Sequence, residues 1–267
     1  MKMSFHIKTQ EGYVIKVLSE LLHNNIKIGC FEITRDGLFF RQTDTHGKIC
    51  IDITLHSDNF ETFKVNPPPN ETRILFGVNL THLKKMLRPV KKKETIELSK
   101  TESSNDLCIK ISPKEIGGEI DVNFIKIQEI QILDLELPSG YNDYITIPTS
   151  RYQKMCKDME SISQSITIES NSNMIKFTSD MSGVYSRSIL FGREDDTPIA
   201  YSQSFESGQL NNLGRISGLG ANTNSNIQIF TKEKLPILLR TNIGTLGKLN
   251  IYIKSREQVE AEKSDDQ

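Results

Sequence analysis

Side-chain catalysis needs a nucleophile beside a base, paired carboxylates, or a close set of metal ligands. The 267-residue sequence offers few of these. Its histidines, His6, His23, His46, His56 and His82, fall in no His-Glu-x-x-His or related ligand spacing, and no cysteine pairs with them. They read as solvated surface groups. The cysteines, Cys30, Cys50, Cys108 and Cys156, include no Cys-x-x-Cys, and each stands among apolar neighbours as a buried thiol would. The stretch "GRISGLGANT" lacks both the G-x-S-x-G spacing of a nucleophile elbow and the third glycine of a dinucleotide loop, so it reads as a loop leaving a helix. Carboxylates gather in "REDD" at 193–196, beside Thr-Pro and with no distant acidic partner in view. This reads as a solvated acidic turn, and a metal-dependent nuclease built on it is the enzyme alternative. The expectation is a chain that is not an enzyme and that uses no metal or cofactor.

Charge is the stronger signal. The run "GVNLTHLKKMLRPVKKK", Gly77–Lys93, holds six Lys and Arg and no Asp or Glu, in a chain with 33 Lys+Arg against 34 Asp+Glu. Lys84, Lys85, Arg88 and Lys91, with Lys92 and Lys93, lie on or just after one apolar-periodic segment. Lys16 and His23 lie on a second, Arg151, Lys154 and Lys157 on a third, and Arg215 on a fourth. Each set avoids the apolar stripe of its segment, which predicts helices with cationic faces outward. Such faces suit a polyanion held by its backbone, because phosphate contacts position a protein without reading sequence.

The elements that carry these residues recur. Tyr13, Val14, Val17, Leu18, Leu21 and Leu22 predict a helix. The stretches "KIGCFEITRDGLFFRQTD" and "KICIDITLHSDNFETFKV" predict antiparallel strands with an Asp-Gly turn, and "NPPPNE" a loop. Leu80, Leu83, Met86 and Leu87 predict a helix stopped by Pro89, followed by the strands "ETIELSK" and "LCIKIS". After Tyr144 the order returns. Tyr152, Met155, Cys156, Met159 and Ile162 form a helix face, then come strands, then Leu210, Leu213 and Ile216, then "NIQIFTK" and "LPILLRT". The chain reads as an internal duplication of α+β class: two similar domains of antiparallel sheet, each covered on one face by short helices. The expected divisions are residues 1–124, a connector at 125–144 with apolar side chains in the open, a second domain at 145–257, and a flexible acidic tail at 258–267. No run reaches the roughly 18 apolar residues of a membrane span, and no signal peptide is evident, so an intracellular protein without a membrane partner is expected.

Four stretches together resemble the DNA sliding clamps of the proliferating cell nuclear antigen family. They are "GVNLTHLKKMLR", "LHSDNFETFK", "PTSRYQKMCKDM" and "LPILLRTNIGTLGKLNIYI", within a similarity running from about Gly12 to Ser255. The resemblance implies a clamp fold assembled as a closed ring, usually a homotrimer, whose helices line a hole around double-stranded DNA. Such a clamp tethers DNA polymerase and other replication and repair proteins, is opened by a clamp loader, and works in the nucleus or a viral replication compartment. DNA-facing positions of the family fall on Lys16, His23, Lys84, Lys85, Arg88, Lys154 and Lys157, to which the charge pattern adds Lys91 and Arg215. A pocket for a partner peptide with one aliphatic and two aromatic anchors falls on Thr43, Leu135, Leu137, Pro138, Tyr141, Leu235, Pro236, Tyr252 and Lys254. Thr43 replaces a methionine common in the family, and Cys50 stands at an apolar position nearby, which implies a shallower pocket. Subunit edges are implied near Glu119–Lys126 and Val184–Phe191. The alternatives are a subunit of a heteromeric checkpoint clamp and a non-ring processivity factor.

Overall fold

The computed structural model describes residues 2–115, 117–129, 134–220 and 225–265. Ile130–Leu133 of the expected connector, Ala221–Asn224 of the "GRISGLGANT" stretch and the last two residues of the expected tail lie outside the described residues. The chain divides into two compact units built from interleaved segments. Unit 1 takes Met1–Gln42, Ile51–Leu135 and Asn242–Leu249, and unit 2 takes Thr43–Cys50, Glu136–Thr241 and Asn250–Gln267.

The first stretch of chain runs β1 (Met3–Thr9), α1 (Gly12–Asn25), β2 (Ile28–Ile33), β3 (Gly37–Thr43), β4 (Ile49–His56), β5 (Thr62–Val65), β6 (Ile74–Asn79), α2 (Leu80–Leu87), β7 (Glu94–Thr101), β8 (Asp106–Pro113) and β9 (Asp121–Lys126). In unit 1 a five-stranded antiparallel sheet has the order β5-β1-β7-β8-β9, and β4, β3, β2 and β6 are successive neighbours in a second sheet. Phe5 and Ile7 of β1 turn the same way along the strand and are both about fully buried. Phe5 stacks on Phe76 at 5.4 Å and Phe76 on Phe31 at 5.5 Å, so aromatic rings from β1, β6 and β2 join the core. The Asp-Gly turn between β2 and β3 forms, for a reason of space: a Cβ at Gly37 would stand 2.1 Å from the Leu55 carbonyl oxygen.

The order then repeats as β10 (Tyr144–Pro148), α3 (Thr149–Glu160), β11 (Ser165–Ser170), β12 (Met174–Asp180), β13 (Ser186–Gly192), β14 (Tyr201–Glu206), α4 (Ser207–Asn212), a 3-10 turn (Leu213–Gly218), β15 (Asn226–Phe230), β16 (Ile237–Ile243), β17 (Gly247–Ile253) and α5 (Arg256–Asp265). In unit 2 one sheet has the order β13-β12-β11-β14, and β10, β15, β16 and β17 are successive neighbours. The α+β class of antiparallel sheets with short helices is therefore the fold observed.

Three expectations change in detail. Helix α3 ends at Glu160, so Ile162 lies beyond it; Met159 is the last residue of its buried stripe. The fourth helix is α only through Asn212 and then tightens into the 3-10 turn, where Leu213 and Ile216, with Leu219 just past its end, are buried at a spacing of three, the period of that helix. What reads as a loop at Gly214–Gly218 belongs to this turn. The acidic tail expected to be flexible is the helix α5. Its start is a capping box: the Gln258 N–H donates to Ser255 Oγ at 3.1 Å while the Gln258 side-chain oxygen accepts from the Ser255 N–H at 2.9 Å.

Candidate functional site

The cationic residues of unit 1 are positioned by α1 and α2, which pack on each other. Asn79 caps α2, its side-chain oxygen accepting from the His82 N–H at 3.1 Å, and Leu80, Leu83 and Leu87 are buried. The remaining face carries Lys84, half-buried, with Lys85 and Arg88 exposed, and Lys91, Lys92 and Lys93 follow in the open. Lys16 is committed differently. Its Nζ donates to the Arg88 carbonyl at 2.7 Å and the Val90 carbonyl at 3.1 Å, so it seats a cation on the negative end of α2. Lys16 and Lys92 also lie over the Tyr13 ring, at 5.6 and 5.8 Å from its centroid. His23 is half-buried beside Thr81, 3.4 Å from its hydroxyl. Burial, then the charge of Lys84, pushes its pKa below the ordinary 6.5, so the ring is neutral at pH 7 and adds no positive charge.

In unit 2, α3 packs against α4 and the 3-10 turn and buries Tyr152, Met155, Cys156 and Met159. Its exposed side presents Arg151, Lys154 and Lys157. The helix also carries Asp158, drawn into an ion pair with Arg187 at 3.1 Å, and Glu160 at its end, which accepts from the Asn211 side chain. Arg215 is exposed on the 3-10 turn and has an interaction of its own. Among the described residues, no ion-pair partner is recorded for Lys85, Arg88, Lys91, Lys154 or Lys157. These are cations held outward on or just after α2 and α3.

A second feature lies wholly in unit 2. Phe230, Leu238 and Tyr252 form a buried cluster, against which Cys50, Leu137 and Tyr141 pack while half exposed. Tyr141 meets Phe230 edge-on at 6.1 Å and Tyr252 at 6.3 Å, and Tyr144 meets Phe230 at 5.1 Å. The Tyr141 hydroxyl donates to the Pro236 carbonyl at 2.6 Å, tying the connector to the turn before β16. Burial, then Tyr252, raises the Tyr141 pKa far above the ordinary phenol value, so it stays a donor. Lys232 Nζ donates to the Gly140 carbonyl at 2.6 Å, a second bond to the same connector. Arg240 lies over Phe230 at 4.9 Å.

Of the expected pocket residues, Leu137, Tyr141, Pro236 and Tyr252 thus come together. Pro138 and Leu235 are half-buried neighbours of these in the chain, Thr43 is half-buried at the end of β3, and Lys254 pairs with Glu262 of α5 at 2.6 Å. Leu135 belongs to unit 1, where with Cys30, Arg41 and Asp134 it lines a separate cavity of about 350 Å³. Phe230 and Leu238 are absent from the sequence expectation. Their signal was the apolar strand runs in "NIQIF" and "LPILLRT", which mark them as buried without saying which cluster they join.

The other chemical candidates are absorbed by the fold. Asp195 of "REDD" accepts the Thr197 N–H at 3.0 Å and a bond from Asn173, and these bonds hold its carboxyl below the usual range. Among the described residues no three His, Cys, Asp or Glu side chains gather as a metal site. All four cysteines are free; Cys30 and Cys156 are buried, whereas Cys50 and Cys108 are only half-buried, which departs from the expectation of four buried thiols. No helix among the described residues is long and apolar enough to cross a membrane.

Comparison with known proteins adds three findings. Residues 4–136 match the family described as proliferating cell nuclear antigen, N-terminal domain. A probable DNA polymerase sliding clamp of Paramecium bursaria Chlorella virus 1 is 25% identical, over 93% of this chain and 95% of its own length. The crystal structure of proliferating cellular nuclear antigen from Entamoeba histolytica superposes with a TM-score of 0.81 at 18% identity, covering 95% of this chain and 99% of that one.

Proposed function

The chain belongs to the proliferating cell nuclear antigen family of DNA sliding clamps, and we propose from that premise how its surfaces divide the work. As a clamp it is a processivity factor without catalysis of its own, serving DNA and DNA polymerase. The duplex is held by Lys84, Lys85, Arg88 and Lys91 of one unit and Lys154 and Lys157 of the other, with Arg151 and Arg215 beside them. The observation that carries this is the outward placement of Lys85, Arg88, Lys91, Lys154 and Lys157 on or just after helices whose opposite stripes are buried. Attraction to phosphate without base contacts permits sliding. Lys16 and His23 take supporting parts, the first fastening α2 and the second lying neutral between the helices.

Client proteins dock through a peptide at the cluster of Leu137, Tyr141, Phe230 and Tyr252, where a half-exposed apolar surface offers seats for aromatic and aliphatic anchors. The chain forms a closed homotrimer. Support comes from two sheet edges: β9, which exposes Val122 and Phe124, and β13, preceded by exposed Val184 and Tyr185. An edge strand with apolar side chains in the open calls for a partner strand, and head-to-tail contacts close into rings. A clamp loader opens the ring, and the place of work is a nucleus or a viral replication compartment.

The test is retention on DNA. After loading, the clamp should stay on nicked circular duplex, leave when the circle is cut, and raise the length of product per polymerase binding event. Equal retention on circular and linear duplex would refute encirclement.

A further inference from the structure

We infer that the free edge of β10 is a second docking site, at which an extended segment of a partner protein, apolar at alternate positions, adds to β10 as a further strand. The inference does not depend on the peptide groove proposed above.

A strand at the end of a sheet leaves a row of N–H and C=O groups unpaired, and proteins ordinarily cover or shorten such edges. This chain does so elsewhere. On β6 the Gly77 N–H donates to the Gln128 carbonyl and the Gln128 N–H to the Gly77 carbonyl, both at 2.9 Å. On β14 the Ser204 N–H is taken by both carboxylate oxygens of Glu257 at 3.1 Å. Edge β5 has only four residues, and β9 and β13 are the edges assigned to ring contacts. Strand β10 is treated otherwise: β15 is its one strand neighbour among the described residues, and its sequence "YITIP" carries no charge. Its Tyr144, Thr146 and Pro148 are exposed.

The first half of the chain shows what fits such an edge. Strand β1, which like β10 runs into the long helix of its unit, carries β5 on its outer edge, with Phe63 opposite Ile7, Val65 opposite Phe5, and Lys64 exposed between them. The corresponding segment of the second half, 193–200 between β13 and β14, forms no strand. It is held at the end of β11 instead, the Ala200 N–H donating to the Ser170 carbonyl and the Asn171 side chain to the Thr197 carbonyl, both at 2.9 Å. A cavity of about 220 Å³ is left beside β10, lined by Tyr144, Ile145, Ile175 and Ala200 and by the hydroxyls of Ser170 and Thr231, which bond to each other at 2.7 Å. That is below the roughly 300 Å³ at which small-molecule sites begin, and it suits a side chain delivered by a strand. The main chain of the added segment would pair with β10, while an apolar side chain enters the cavity against Ile145 and Ile175 and the next one points to solvent.

The experiment uses the chain's own β5 sequence as the probe: a capped peptide copying Glu61–Asn66, added to the full-length protein, with amide exchange read by mass spectrometry. With free peptide about tenfold above its Kd, about a tenth of the edges stay empty, so exchange of the β10 amides on the free edge should slow about tenfold. The same peptide methylated at the main-chain nitrogens that would face β10 keeps every side chain but loses those donors, and should leave exchange unchanged. Ala200→Trp and Ser172→Trp each put a large ring at the cavity from an exposed position, so the chain should fold while peptide affinity falls about tenfold or more. No slowing at β10 in the unaltered protein, equal slowing by the methylated peptide, or full affinity in both Trp variants overturns the inference. Slowing that grows with protein concentration alone would give the edge to a second copy of this chain and overturn it as well.

Discussion

Changing Lys84, Lys85 and Arg88 to Glu tests the DNA-facing assignment most directly. The side chains of Lys85 and Arg88 are exposed and that of Lys84 is half-buried, so the change leaves the Leu80, Leu83 and Leu87 stripe untouched and the chain should fold. The Arg88 carbonyl, which accepts from Lys16, is backbone and also remains. Each phosphate contact contributes about 0.9 to the slope of log affinity against log salt, so three lost contacts flatten it by about 2.7 per chain that touches the duplex. Over a fourfold rise in salt, the unaltered protein should lose about fortyfold more affinity than the variant, beyond the lower starting affinity of the variant. Fluorescence anisotropy on duplexes of unrelated sequence, titrated with salt, reads both quantities. The loss should be the same for every sequence, since no base is contacted. An unchanged slope would show that the basic helix is only a solvated face, and the DNA-facing assignment would fail with it.

Other expectations follow from single features. Leu137→Ala should weaken a client peptide at least tenfold by calorimetry without altering particle mass, because Leu137 packs on the aromatic cluster from outside. Light scattering should find about three chains per particle, and a strict monomer at micromolar concentration would refute the ring. Ser255→Ala removes the hydroxyl that caps α5 and should cost about 1 kcal/mol locally, seen as faster amide exchange across Arg256–Asp265 with the rest of the chain unchanged. His23 titrates below 6.5 when folded and near 6.5 when unfolded, so the unfolded chain binds the proton more readily. Stability should therefore fall as pH drops from 6.5 through the folded value, and His23→Gln should remove that part of the dependence in acid melts.

Periodicity in the sequence was enough for α1 and α3, because a helix of three or more turns repeats its apolar stripe often enough to be recognised. The shorter elements were harder. Strand β6, "ILFGVN", carries Phe76, Gly77 and Val78 buried in succession, and such a run has no alternation to reveal it. The 3-10 turn was missed, read as a helix face followed by a loop, although Leu213, Ile216 and Leu219 stand exclusively three apart, a spacing that fits a 3.0-residue period better than a 3.6-residue one. Helix α5 was hidden by its acidic composition, although Ser255-x-x-Gln258 spells a capping box in plain sequence. Charge was legible in amount but not in state. That Lys16 is spent on the carbonyls of α2, and that His23 is neutral, depend on groups more than fifty residues away in the chain. The aromatic cluster was legible only through the residues the resemblance supplied, because Phe230 and Leu238 meet Tyr252 through strand pairing that no local pattern encodes.

The two proposed surfaces ask for opposite designs, and the structure has both. A grip that must slide has to be a sum of many weak, exchangeable contacts, so its residues are long cations turned outward, and no single one dominates. A grip that must hold a client by a short peptide concentrates its energy in a few anchors, so its residues are buried or half-buried rings fixed by packing and by bonds such as Tyr141 to Pro236. The consequence is a difference in how damage adds. Successive charge changes on α2 and α3 should lower duplex affinity in even steps, whereas the first loss from the aromatic cluster should remove most of the peptide affinity and the second little more. Because the cationic and aromatic sets share no residue, a charge change on α2 combined with one in the cluster should add without coupling. A strong coupling between them would mean that duplex and client compete for one surface, and would refute the division of work proposed here.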